Sequence, residues 1–395
     1  MNSLIRQIHA GARMAALAAT AVLPALAAAA PAAASTGDVT DVVQIRSLTQ
    51  ESAVYDRLWQ PFIARWDENQ LLVTYGAHFD GTIDMGDVVC CRSLDNGATW
   101  KAPVPVFQSL LPAEGGVQYA YANSVLYHPP GQDIVWCFAM KCPRYYEDSE
   151  DSWLVGAFTA DGGRSWHQVE MIVNYHSPLI TNSGIVAVTE GGRTRYLMAL
   201  TRNTLRHDPA GDRKEFVLES TNLIVWNLAA YIPQEQPPRV FLQEGNIAEG
   251  DRPGELKMVM RTGVYAPPAK LALDPPVAFS SVSRDGGRTW SLARPEPDLY
   301  NTISKGFYGR DSLGRHVYVY NDDGPHVRKA LRYVVQAANG TWSSQRTFYD
   351  GHVRNSYPTL IEDLTPGTFL CVWDSSNQID RIRTSIRFGR LKLVP

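Results

Sequence analysis

Short apolar runs rich in β-branched and aromatic residues recur along this chain, each preceded by turn-forming residues. They lie at 70–75, 133–138, 194–200, 256–261, 316–320 and 368–373. Runs of this length, framed by Gly, Asp, Asn and Pro, predict β-strands. No stretch keeps the 3.6-residue periodicity of a long helix. The pattern predicts an all-β chain in which one unit is repeated about six times.

A second repeat has the same rhythm. Ser93-Leu-Asp95-Asn-Gly97-Ala-Thr-Trp100, Thr159-Ala-Asp161-Gly-Gly163-Arg-Ser-Trp166 and Ser283-Arg-Asp285-Gly-Gly287-Arg-Thr-Trp290 share a hydroxyl residue, then Asp, Gly and Trp at fixed offsets. These are the parts of a hairpin tip. Asp bonds the amides of its own turn, Gly takes positive φ without a Cβ penalty, and Trp covers the turn. Weaker copies end at Trp226 (beginning at Glu219) and at Trp342. The tryptophans are then spaced by 66, 60, 64 and 52 residues. Strand-like ends at 42–48 and 384–393 can close such a ring by sharing one blade.

Composition narrows the setting. Arg6 and Arg13, the apolar run 14–30 and Ala32-Ala33-Ala34 before Ser35 read as a secretory leader, residues 1–34, with one domain over 35–395. The mature protein is therefore expected to be secreted or periplasmic, without a membrane span. A net charge of −3 gives no reason to expect a nucleic-acid partner. Five cysteines do not make a disulfide scaffold. Cys137 and Cys142 are close enough in sequence to pair, whereas Cys90, Cys91 and Cys371 read as core residues.

The three turns resemble the Asp-box of the sialidase-like β-propellers, and the resemblance covers nearly the whole mature length. It implies a six-bladed propeller and extends to four segments. Arg57, in Asp56-Arg57-Leu-Trp-Gln-Pro61, stands where the family's Arg-Ile-Pro motif supplies a substrate-binding arginine, although the following residues differ. Asp84 matches the family's acid/base Asp, with Asp80 and Asp87 as competitors. Glu244, with Glu249 as its alternative, and Arg261 resemble the family's Glu-to-Arg stretch. Tyr357 matches the nucleophile, but Pro358 follows where the family has Ser. Upstream, Arg328 resembles the third arginine, with Arg332 and Arg354 as substitutes.

The chemistry has a physical rationale. A carboxylate beside the reacting carbon repels a carboxylate nucleophile, and a Tyr deprotonated by a nearby Glu avoids this. Arginines grip the carboxylate through forked, charge-assisted hydrogen bonds. An Asp with a raised pKa protonates the leaving oxygen. The resemblance thus implies an exo-acting glycoside hydrolase of a terminal acidic sugar, sialic-acid-like or uronic. It would work as a monomer on a glycan, without a cofactor or metal.

Two alternatives stay open. Asn174-Tyr175-His176-Ser177-Pro178 and the group Tyr119, Tyr121 and Asn123 are polar, aromatic clusters outside the sialidase pattern. Propeller polysaccharide lyases, which resemble this fold, use His, Tyr and Arg to remove a proton beside a uronate carboxylate. There His176 would be the base, Tyr175 or Tyr357 the acid, and Arg261 the neutraliser of a uronate carboxylate. A non-catalytic glycan-binding propeller is the third reading.

Overall fold

The computed structural model describes residues 37–48, 55–79, 85–109, 119–143, 152–175, 179–202, 214–235, 240–266, 269–323, 327–337, 339–377 and 384–393. All lie within the compact unit Ala34–Pro395; the expected leader falls outside the described residues. Every element is a strand, and no helix here is long and apolar enough to cross a membrane.

In chain order the first strands are β1 (Val39–Ser47), β2 to β5 (Tyr55–Arg65, Leu71–Phe79, Gly86–Ser93, Val104–Phe107) and β6 to β9 (Tyr119–Tyr127, Val135–Pro143, Trp153–Thr159, His167–Val169). Then come β10 (Ile172–Asn174) and β11 to β14 (Leu179–Glu190, Arg193–Arg202, Glu215–Ser220, Val225–Tyr231). β15 to β19 follow (Val240–Glu249, Leu256–Ala266, Ala269–Leu271, Val277–Ser283, Arg294–Tyr300). The last are β20 to β23 (Phe307–Arg310, His316–Asn321, Leu331–Gln336, Arg346–Tyr349) and β24 to β26 (Arg354–Glu362, Thr368–Ser376, Ser385–Lys392). The six sequence-predicted runs fall in β3, β7, β12, β16, β21 and β25, each the second strand of an antiparallel meander. Their interiors are buried, as continuous apolar runs in a stacked sheet should be.

Hydrogen bonding divides the strands into five sheets. The expected six blades do not appear as six separate sheets: β2–β9 form one eight-stranded sheet, in which β4 and β6 are joined by a single pair, Gly86 with Tyr121. Strands β2, β6, β11, β15, β20 and β24 contact one another in turn, and β24 returns to β2, closing a ring. The chain ends seal it: β1 pairs antiparallel with β26, from Val39–Leu391 to Ser47–Ser385.

The repeated turns hold as their residue types predict. The Ser93 hydroxyl donates to Asp95 at 2.8 Å and accepts from the Gly97 amide at 2.7 Å; Asp95 accepts the Thr99 amide at 2.8 Å. The turns at Asp161 and Asp285 repeat these bonds. Burial works against the charge at Asp161 and Asp285, but in all three turns hydrogen bonds, the strongest from the hydroxyl of Thr99, Ser165 or Thr289, hold the carboxylate down at about 2. The copy ending at Trp226 differs from expectation. Its hydroxyl is Ser220, not residue 219, and the turn is one residue shorter, with Leu223 at φ +65° in the glycine's role.

Cys137 and Cys142 are not joined by a disulfide, and all five cysteines are thiols, which corrects the pairing expectation. Both lie on β7, where five residues of extended chain separate them by roughly 16 Å and put them on opposite faces.

Candidate functional site

Four of the six ring-lining strands share one irregularity. Register shifts interrupt β2 between Trp59 and Phe62, β6 between Ala122 and Val125, β15 between Gln243 and Asn246, and β24 between Ser356 and Thr359. At each bulge one residue takes a left-handed backbone: Gln60 (φ +51°), Asn123 (+53°), Glu244 (+53°) and Tyr357 (+51°). A bulge re-aims a side chain and removes its amide from the ladder. Non-glycine residues held at positive φ concentrate at functional sites.

Polar groups at the bulges are received by the preceding meander. Thr74 of β3 accepts the Ser124 hydroxyl at 3.0 Å, and Asp374 of β25 accepts the Gln60 amide at 3.4 Å. Thr201 of β12 and Glu215 of β13 accept the amides of Glu244 and Gly245 at 2.9 and 2.8 Å.

Around two of these bulges a charged cluster forms. Glu244 and Arg261 make an ion pair of 2.6 Å, with their side chains 11% and 8% exposed. The Tyr357 ring lies 5.2 Å from the Trp59 ring, and the Arg328 guanidinium stands 4.8 Å over Tyr357. Arg57 and Arg354 each approach the Trp59 ring at 5.3 Å. Arg328 is buried and donates through Nη2 to the Ile303 carbonyl at 3.4 Å. Its Nε and Nη1 have no hydrogen-bond partner among the described residues.

The electrostatics follow from burial and charge together. Burial would raise the Glu244 pKa, but Arg261, Lys305 and Arg328 outweigh it and hold the group low, hence ionised. Burial opposes the Arg261 charge, yet Glu244 and, less strongly, Tyr357 raise its pKa. Burial pulls Lys305 down to about 8 against the attraction of Glu244 and Asp374. Asp374 is pushed up to about 6 by burial, although Ser356, Arg354 and Arg328 favour its charge. Arg261, Arg328, Arg354 and Lys305 thus face two carboxylates, Glu244 and Asp374. The cluster favours an anion. A separate cavity of about 710 Å³ is lined by the later residues of the same strands, among them Phe62, Leu126, Ile247 and Thr359, and by Lys305. Neither Tyr357 nor Arg261 lines it.

No family model and no curated protein matches this sequence. Solved structures do resemble it. The NanB sialidase from Streptococcus pneumoniae aligns with a TM-score of 0.66 and 12% identity, over 89% of this chain and 70% of that one. The intramolecular trans-sialidase from Ruminococcus gnavus gives 0.65 and 14%, over 89% and 98%. An α-L-arabinofuranosidase from Fusarium graminearum gives 0.62 and 14%, over 90% and 99%. This chain has the sialidase-like β-propeller fold.

Within that propeller the expected residues distribute unevenly. Tyr357, Glu244, Arg261 and Arg328 come together, and Arg57 and Arg354 flank them through Trp59. Among the described residues no direct Glu244–Tyr357 hydrogen bond occurs; Arg261 is their common neighbour. Asp80, Asp84 and His176 lie outside the described residues. Asp87 accepts the Tyr55 hydroxyl at 2.5 Å and the Ser109 amide at 2.7 Å. Glu249 ends β15 and lines the separate cavity, which leaves Glu244 as the cluster's glutamate. Arg332 pairs with Asp322 at 3.1 Å, away from Tyr357. Tyr175, one of the two acids of the lyase reading, bonds the Tyr231 hydroxyl on strand β14 at 2.5 Å; the other, Tyr357, lies in the cluster. Trp59, Lys305, Asp374 and Glu215 escaped the sequence reading. A signal existed in the polar or aromatic residue followed by Pro or Gly in three ring-lining strands: Gln60-Pro61, Glu244-Gly245 and Tyr357-Pro358.

Proposed function

We propose that this chain is a propeller glycoside hydrolase that releases a terminal acidic sugar. The observation that carries the reading is Arg328. A buried guanidinium over the Tyr357 ring, with two N–H-bearing nitrogens lacking partners among the described residues, is costly unless an anion completes it. The fold alone does not choose the sugar, since its likeness spans sialidases and an arabinofuranosidase. The excess of guanidinium groups favours a carboxylate-bearing one.

In this reading Arg261 and Arg328 hold the substrate carboxylate, with Arg57 or Arg354 as the third contact. A substrate carboxylate competes with Glu244 for Arg261, and Glu244, so released, takes the Tyr357 proton. The Tyr357 oxygen then attacks the anomeric carbon, and Asp84 protonates the departing oxygen and later activates water. Catalytic hydrogen bonds often tighten only with substrate bound, consistent with Glu244 resting on Arg261 beforehand.

The propeller is read as six-bladed, supported by six ring-lining strands and by the lone Gly86–Tyr121 pair that fuses two meanders. Export follows from the leader at 1–34. The test is mass spectrometry of products from sialosides and uronate-bearing glycans. Release of an acidic monosaccharide with the mass of added water, abolished by Tyr357→Phe, is expected. An unsaturated product would mean elimination, and binding without turnover would leave a glycan-binding propeller.

A further inference from the structure

We infer that Thr201 and Glu215, contributed by the preceding sheet, are positioning residues that hold the β15 bulge in the one conformation that turns Glu244 toward Arg261. The inference rests on the role proposed for Glu244.

The bulge creates the need. Between Gln243 and Asn246 the β15–β16 register slips, and the Glu244 and Gly245 amides point to the neighbouring sheet instead of their ladder. Buried amides without acceptors are costly. The Thr201 hydroxyl accepts the Glu244 amide at 2.9 Å and donates to Glu215 Oε2 at 2.8 Å. Glu215 Oε1 accepts the Gly245 amide at 2.8 Å. Thr201 and Glu215 are themselves a cross-strand pair of β12 and β13, so the two acceptors are fixed to each other. Both residues are buried.

Gly245 fits the same device. A Cβ there would meet Glu215 Oε1 at 2.8 Å and Met258 Sδ at 2.7 Å, so a side chain would push the carboxyl off its amide. Glu244 at φ +53° gains nothing locally from its left-handed backbone. With the two acceptors removed, the strand relaxes toward regular pleating, which sends residue 244 to the other face. A carboxyl serves here because it accepts an amide with one oxygen and engages a hydroxyl with the other. Burial raises its pKa to about 8, with a smaller push from Glu244 and against the hydrogen bonds from Thr201 and Gly245, which disfavours a second negative charge beside Glu244.

The test uses the full-length protein and an acidic glycoside that it hydrolyses, with kcat/KM followed against pH. Glu244 faces Arg261 on β16, Lys305 before β20, Arg328 before β22 and Glu215 on β13. Its ionisation should set the acid limb. In Thr201→Val and Glu215→Leu, Glu244 leaves Arg261. The acid limb should then move up by about one pH unit or more, and kcat/KM should fall roughly tenfold or more. Thr201→Ser, which keeps the hydroxyl, and Glu215→Gln, whose oxygen accepts Gly245 and whose NH2 donates to the Thr201 oxygen in a reversed bond, should recover most of that loss. Lowered melting temperatures with an unmoved acid limb and unchanged kcat/KM would reduce the pair to packing and overturn the inference. So would serine and glutamine variants as impaired as Val and Leu. If the wild type hydrolyses no acidic glycoside, it is the proposed function that fails. A crystal structure of Thr201→Val then decides separately: residue 244 out of the left-handed region supports the inference, and an unchanged φ refutes it.

Discussion

Glu244 and Arg261 stand on paired strands and meet at 2.6 Å, although Arg261 lies opposite Gln243 in the ladder. In a regular antiparallel pair, residues directly opposite share a face, so Glu244 would point away from Arg261. The bulge at Glu244 puts both charges on one side. An irregularity of one residue therefore decides whether a carboxylate faces the anion-binding cluster.

The pair's worth can be measured. Arg261→Met leaves a buried carboxylate without its nearest counter-charge, with only Lys305 and Arg328 left to it, and breaking such a pair from one side costs about 3–5 kcal/mol. The double variant Glu244→Gln/Arg261→Met removes both charges and should recover more than half of that loss. Urea unfolding at neutral pH reports both. A single variant that costs less than about 1 kcal/mol would mean that the pair is effectively solvated.

Tyr357→Phe keeps the ring that packs between Trp59 and Arg328 and removes the hydroxyl. Stability should stay within about 1 kcal/mol of the wild type. Turnover of an acidic glycoside should fall at least about a hundredfold, as expected for a lost nucleophile. Retained turnover would take Tyr357 out of the chemistry, whatever the fold.

Much of the scaffold was legible because its causes are local. Asp95, Asp161 and Asp285 announce their turns through their own amides, and the second strands announce themselves by unbroken apolar runs. Tyr357, Glu244, Arg261 and Arg328 were found through motif resemblance, and they do share a cluster. What escaped depends on contact between sheets. Glu215 and Asp374 are acids in apolar strands, and only the neighbouring bulge explains their burial. Trp59 gives no warning that three arginines gather on its ring. The pairing suggested for Cys137 and Cys142 failed because sequence proximity on one strand is distance in space.

Each repeated turn also docks on the preceding sheet through its glycine. Gly97, at φ +91°, would place a Cβ 2.3 Å from the Phe388 ring, and Gly287, at +86°, one 2.4 Å from Leu197. Gly97→Ala meets both a backbone penalty and an immovable core ring, and should cost about 2–4 kcal/mol. Gly131→Ala is the control: its φ is +72°, with nothing within 4 Å of the added carbon, and its cost should be near 1 kcal/mol. Equal costs in thermal or urea unfolding would leave backbone strain alone as the cause and remove the docking argument.

Stability should depend on pH through Glu215. Folded, it keeps its proton up to about 8, chiefly because burial opposes its charge; unfolded, it loses the proton near 4.5. Between these values the unfolded chain binds fewer protons than the folded one, so this group's contribution falls as pH rises through that window and is level above it. Asp374, raised from 3.8 to about 6 by burial, acts in the same direction at lower pH. Lys305, lowered from 10.5 to about 8 by burial, acts oppositely, adding stability as pH rises between those values. Glu215→Gln isolates the first effect, because the amide oxygen still accepts Gly245, its NH2 donates to the Thr201 oxygen in a reversed bond, and the group has no proton to release. The difference in unfolding free energy, variant minus wild type, should grow by a few kcal/mol from about pH 5 to pH 8 and then level off. Urea titrations at several pH values measure it. Parallel curves across that range would mean that Glu215 ionises as readily in the fold as out of it.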